Sequence, residues 1–209
     1  MKVSDRAYFY FAANLAILIP IPGRFAYALV LLLLFNIQMA VTSLMYGLVY
    51  KMNLYPLRNV IIAFVAFFIT ILYKQLLIIY CPIMALTLGF CLYLPTLSSA
   101  TIKFFFAKKS DGLKQLFADN MTKSGIITLY SLVYFLLRDV MGYGTFTLPF
   151  YKYIKIYTIS DNMDSVSTSL FFATIPGSLV LIAFLLSLLL FIKKKSGIIE
   201  RLPKNWFEE

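Results

Sequence analysis

Thiols, imidazoles and carboxylates are the side chains that hold metals and move protons, and this chain has few of them. Cys81 and Cys91 are its two cysteines, it has no histidine, and Asp and Glu together number 9. Without histidine, His-ligated haem, His-bearing metal sites and imidazole acid–base catalysis are excluded. Two cysteines are too few for a disulfide framework, and they do not form a CxxC motif. Ten residues apart on one continuous helix, they would stand about 15 Å from each other, beyond disulfide reach. The remaining candidates are polar residues embedded in apolar sequence. Arg138 and Asp139 adjoin near the end of one hydrophobic run, and Asn36 and Gln38 interrupt another. An ionisable residue within a membrane segment marks a functional site by default, whereas near a helix end it snorkels to the interface or forms a structural pair. Both readings stand open for Arg138 and Asp139. Asn36 and Gln38 read as interhelical hydrogen-bonders, with an ion path as the second reading.

The elements that must position these residues are apolar. Of 209 residues, 61% are hydrophobic and 13% charged, and mean hydropathy is +0.85. A soluble domain carries about a quarter charged residues, so a soluble enzyme, a secreted disulfide scaffold and a disordered chain are all excluded. At about 20 residues per crossing, the length allows six or seven helices in one membrane domain. The excess of 19 Lys and Arg over 9 acidic residues lies between the apolar runs. It therefore reads as a topology signal and as contact with anionic headgroups, not as a nucleic-acid surface.

Along the chain, the run Ala7 to Ile19 is short and ends in Ile19-Pro20-Ile21-Pro22-Gly23-Arg24, where two prolines stop a helix. Lys2 and Arg6 ahead of it and Ala26-Tyr27-Ala28 behind it imitate a signal peptide, but the chain continues straight into a second apolar run, so the segment is expected to stay. Phe25 to Tyr50 is the clearest span. Asn59 to Tyr73 predicts a third helix, broken at Lys74-Gln75 before Leu76 to Tyr80. A fourth, Pro82 to Ala107, is interrupted by Gly89, Pro95 and the stretch Thr96 to Thr101, and a basic connection over Lys103 to Lys123 follows. A fifth helix is expected over Ser124 to Met141, then a polar stretch through Gly144, Pro149 and Asp161, then a sixth over Leu170 to Ile192, interrupted at Ile175-Pro176-Gly177.

The expected fold is thus an all-α polytopic membrane protein of six transmembrane helices. Basic residues number 14 on the side holding both termini and 5 on the other, which predicts cytoplasmic termini and an even number of crossings. Segments one and four hold corresponding places in two three-helix halves, residues 1–80 and 81–195, with 196–209 as a tail. Paired broken segments point to an inverted repeat. Its half-helix junctions are expected at Pro20, Pro22 and Gly23 and at Pro95, Thr96, Ser98 and Ser99, facing each other near the bilayer midplane.

The stretch Phe135 to Gly144, FLLRDVMGYG, resembles a helix ending F-F-R-E-L-F-G-x-G in the integral-membrane subunits of Rnf and Nqr complexes, above all the RnfE and NqrD branch. Asp119 matches an Asp of that family at the same distance from the Arg. Phe106-Ala107-Lys108-Lys109-Ser110 is similar to its F-A-x-K-S stretch, and Ile175-Pro176-Gly177-Ser178 to its P-P-G-A pattern. In order and spacing the likeness covers about residues 15 to 193. It implies a multi-pass subunit of the bacterial cytoplasmic (inner) membrane, in a redox-driven ion-translocating electron-transport complex whose flavin and iron–sulfur clusters sit in partner subunits. It also implies pairing with a homologous six-helix subunit of opposite topology, the two sharing a [2Fe–2S] cluster held by Cys residues of their half-helices. Leu15 and Leu97 stand where the family has its two cluster Cys, and Leu cannot ligate iron. Cys91 lies six residues before the expected position and could serve only after a register shift. The expectation is a non-catalytic subunit without a complete ligand set of its own. The alternative class is the membrane substrate-binding component of a small-solute transporter, similar to the substrate subunits of energy-coupling-factor vitamin importers, and a third is a membrane assembly factor.

Overall fold

The computed structural model describes residues 18–52, 55–97, 113–151, 153–159 and 166–199. The chain is mostly helical: α1 (Phe25–Lys51), α2 (Arg58–Tyr80), α3 (Pro82–Leu88), α4 (Leu113–Tyr143), α5 (Val166–Ala173) and α6 (Ile175–Ile199). Three helices are long and apolar enough to cross a membrane: Phe25–Val49, Arg58–Tyr80 and Lys114–Tyr143. Pro82–Leu97 and Ile175–Leu188 are shorter apolar helices.

The apolar sequence of α1 has no polar face to present, so it fits only at the centre of the fold, and it is the most buried of the three long helices. It packs most extensively on α4 and also on α2. The core around it contains Leu31, Leu34, Phe35 and Met39 from α1, Leu77 from α2, Met84 and Leu88 from α3, and Ile127, Tyr134 and Phe135 from α4. The outward face of α2 is a helical stripe of exposed Phe64, Phe68, Leu72, Leu76 and Ile79. Such a stripe is stable against hydrocarbon and not against water.

Each break has a local cause. The chain is non-helical from Ile19 to Arg24, through Pro20 and Pro22. Cys81 precedes Pro82 and takes the extended conformation that proline imposes on its predecessor (φ −144°, ψ 72°), ending α2. Gly89, at φ 39°, ends α3 in a conformation that side chains resist, and a 3₁₀ segment Gly89–Tyr93 follows. Thr174 separates α5 from α6, its hydroxyl oxygen accepting the Gly177 N–H at 3.4 Å in the manner of an N-cap.

Several expectations are corrected. Lys74-Gln75 does not break α2, which runs unbroken to Tyr80; Lys74 reaches the Tyr93 ring at 5.5 Å, so its stem packs while its charge finds an aromatic face. The fourth segment breaks at Gly89–Tyr93, while Pro95 is buried within the helical residues 94–97. Lys114 to Lys123 belongs to α4 and not to a connection. The stretch after Gly144 is an antiparallel hairpin of β1 (Thr145–Pro149) and β2 (Ile154–Thr158), pairing Thr145 with Thr158 and Pro149 with Ile154.

A Cβ on Gly177 would overlap the Phe171 carbonyl, because α6 turns back directly on the end of α5. A Cβ on Gly125 meets nothing within 4 Å. Gly177→Ala is therefore expected to destabilise the detergent-solubilised protein by about 1–3 kcal/mol, and Gly125→Ala to stabilise it by about 0.5–1 kcal/mol. Scanning fluorimetry on the two variants checks this, and shifts of the same sign would contradict the packing.

Candidate functional site

Arg138 and Asp139 are 1% and 0% exposed, yet they do not serve each other. They point to opposite kinds of helix end. Asp139 Oδ2 accepts the backbone N–H of Phe25 at 3.1 Å and both the N–H and hydroxyl of Thr147, at 2.9 and 2.7 Å. Its Oδ1 accepts the Thr145 hydroxyl at 3.0 Å. The Thr147 hydroxyl oxygen in turn accepts the Ala26 N–H at 3.1 Å. The first two amides of α1, which no helical carbonyl can reach, are thus bound by residues more than a hundred positions away. A carboxylate there also complements the helix dipole.

Arg138 does the converse with carbonyls. Nη1 donates to Ile21 O at 2.8 Å, Nη2 to Ala173 O at 3.0 Å and Nε to Phe172 O at 3.3 Å. Phe172 and Ala173 end α5, where the dipole is negative, and Ile21 lies in the non-helical stretch before α1. Gly23 lets the guanidinium in: a Cβ there would stand 3.0 Å from Nε. Pro22 shapes the same stretch, its carbonyl accepting the Arg24 N–H at 2.8 Å, and the Pro20 carbonyl faces Cys91 Sγ at 3.7 Å. The 18–24 stretch is therefore gripped by the end of α4 and touched by the second broken segment. Ser98, Ser99 and Leu15 lie outside the described residues.

A second polar set lies along α1. Asn36 donates to Leu32 O at 2.8 Å and to the Thr128 hydroxyl at 2.9 Å, and its Oδ1 accepts from Ser124 at 2.6 Å. Asn120 donates to the Ser43 hydroxyl at 3.0 Å. These contacts make an antiparallel polar ladder between α1 and α4. On the other side, Gln38 Nε2 reaches Thr70 at 2.7 Å, Thr96 at 3.0 Å and Ala66 O at 3.4 Å, and the two threonine hydroxyls share a 2.7 Å bond. Gln38 is fully buried, and its Oε1 has no partner among the described residues. Asp119 belongs to neither set: it is exposed and pairs with Lys123 at 3.7 Å, an i,i+4 surface bridge.

The cysteines are held apart from any cluster of donors. Cys81 Sγ donates to Phe150 O at 3.0 Å, Leu97 is exposed and offers no ligand atom, and no group of three or more His, Cys, Asp or Glu occurs among the described residues. An iron–sulfur cluster needs thiolates or histidines on every iron, so the residues present do not fit one. Sequence reasoning finds Arg138, Asp139, Asn36 and Gln38 but misses Thr145, Thr147, Thr70, Ser124 and Thr128, whose types are common and whose significance lies only in their neighbours. No protein-family model, curated protein sequence or solved structure matches the chain.

Arg138→Met and Asp139→Ala each leave buried backbone groups or a charge without partners, so each is expected to cost about 3–5 kcal/mol. Asp119→Asn breaks only an exposed pair and is expected to stay within about 0.5 kcal/mol of the parent. Thermal unfolding in one detergent compares all three; an Arg138→Met protein as stable as Asp119→Asn would contradict the assignment.

Proposed function

We propose that this chain is a non-catalytic subunit of a redox-driven ion-translocating complex of the Rnf and Nqr kind, acting as a membrane scaffold. One observation carries the reading. Arg138 and Asp139, the residues at the heart of the resemblance, also bind the broken N-terminal stretch through Ile21 and Phe25, which is what a subunit built on interrupted helices requires. The buried ladder supports the scaffold role, because Asn36, Gln38, Thr70, Thr96, Asn120 and Ser124 carry no group that titrates near neutral pH. In this reading the subunit spans the bacterial cytoplasmic membrane six times as an inverted repeat, with both termini in the cytoplasm. It pairs with a homologous subunit of opposite topology, while flavin and iron–sulfur clusters reside in other subunits.

The complex purified through a tag on this chain is expected to contain flavin and iron. A doubly substituted chain, Cys81→Ser with Cys91→Ser, is expected to leave iron per complex unchanged. A complex holding neither cofactor would overturn the redox reading, and co-purifying ATPase subunits would replace it with the solute-transporter class. Loss of iron on Cys91→Ser with the complex intact would overturn the scaffold role.

A further inference from the structure

At the end of the bundle away from Arg138, the C-terminus of α1 and the N-terminus of α4 flank an open groove of about 480 Å³, a size typical of small-molecule sites, which run to roughly 300–1,000 Å³. Its walls are Leu44, Leu48 and Phe117, and Lys51 and Lys114 complete the lining. The groove runs two turns along α1, from Lys51 to Ser43, about 12 Å. At the Ser43 end no polar atom is left over: the hydroxyl donates to Met39 O at 2.5 Å and accepts from Asn120. Both lysines are exposed, and among the described residues neither has an acidic partner. The connection leading into α4 adds Lys103, Lys108 and Lys109 against Asp111. The groove is therefore amphipathic along its length, cationic toward Lys51 and apolar below.

We infer that this groove takes one anionic phospholipid of the surrounding bilayer, its phosphate between Lys51 and Lys114 and an acyl chain against Leu44, Leu48 and Phe117. Basic pockets between membrane helices suit such headgroups, each lysine adding to the attraction for the negative lipid. The inference rests on the groove alone and is independent of the redox reading.

Native mass spectrometry of the full chain, purified in mild detergent and offered phosphatidylglycerol and phosphatidylcholine in equal amounts, tests it. The parent is expected to retain phosphatidylglycerol by about tenfold over phosphatidylcholine. The double substitution Lys51→Gln and Lys114→Gln is expected to equalise the two. Leu48→Trp, which fills the groove at an exposed position and leaves both lysines, is expected to release the lipid without lowering the unfolding temperature. Equal retention by the parent, an unchanged preference in the lysine variant, or displacement of the lipid by excess inorganic phosphate alone would overturn the proposal.

Discussion

A helix end buried away from water carries backbone N–H and C=O groups that must find partners inside the protein, and the rest of this fold depends on how that is done. Three chain ends converge beside the C-terminal turns of α4: the start of α1, the end of α5 and the non-helical stretch 18–24. One pair of adjacent residues serves all three, Asp139 on the amides and Arg138 on the carbonyls. The opposite signs of the two side chains match the opposite polarities of the helix ends they meet. Being consecutive on α4, they tie the broken stretch, the hairpin and the α5–α6 corner to one helix.

Away from that junction the interior polar groups are neutral. Neutral hydrogen bonds between membrane helices contribute modestly, about 0.6 kcal/mol on average, but they are directional. The Asn36–Thr128 and Asn120–Ser43 bonds fix the sliding of α1 along α4, which apolar contacts between Leu and Phe leave loosely specified. Gln38 bridging Thr70 and Thr96 likewise sets where the short segment after Gly89 meets α1 and α2. The charged pair thus closes one end of the bundle, and the amides and hydroxyls set its register.

The long apolar helices are readable in the sequence because their signal is composition: α1 is expected to start at Phe25, and it does. Arg138 and Asp139 stand out because charge is rare in such sequence. Their partners cannot be read, since Ile21 and Phe172 contribute carbonyls that every residue has, and Thr147 lies on a strand where the sequence suggests plain connection. The run Ile154 to Thr158 does hold the β-branched and aromatic residues of a strand, but its hairpin is too short to outweigh a helical context. Lys74 misleads in the other direction: a cation with a long stem can stay in a membrane helix when an aromatic ring lies within reach. Gly89 is visible as an interruption, yet Pro95 reads as the stronger breaker, although proline sits without cost in the first turn of the helical residues 94–97.

Hydrogen–deuterium exchange of the protein carrying Asp139→Asn tests the shared junction most directly. Capping of α1 by the carboxylate predicts faster exchange of the amides of residues 25–28 and of Thr147, with the middle of α1 and the whole of α2 exchanging as in the parent. Exchange unchanged at Phe25 and Ala26, or raised evenly along α1, would contradict it.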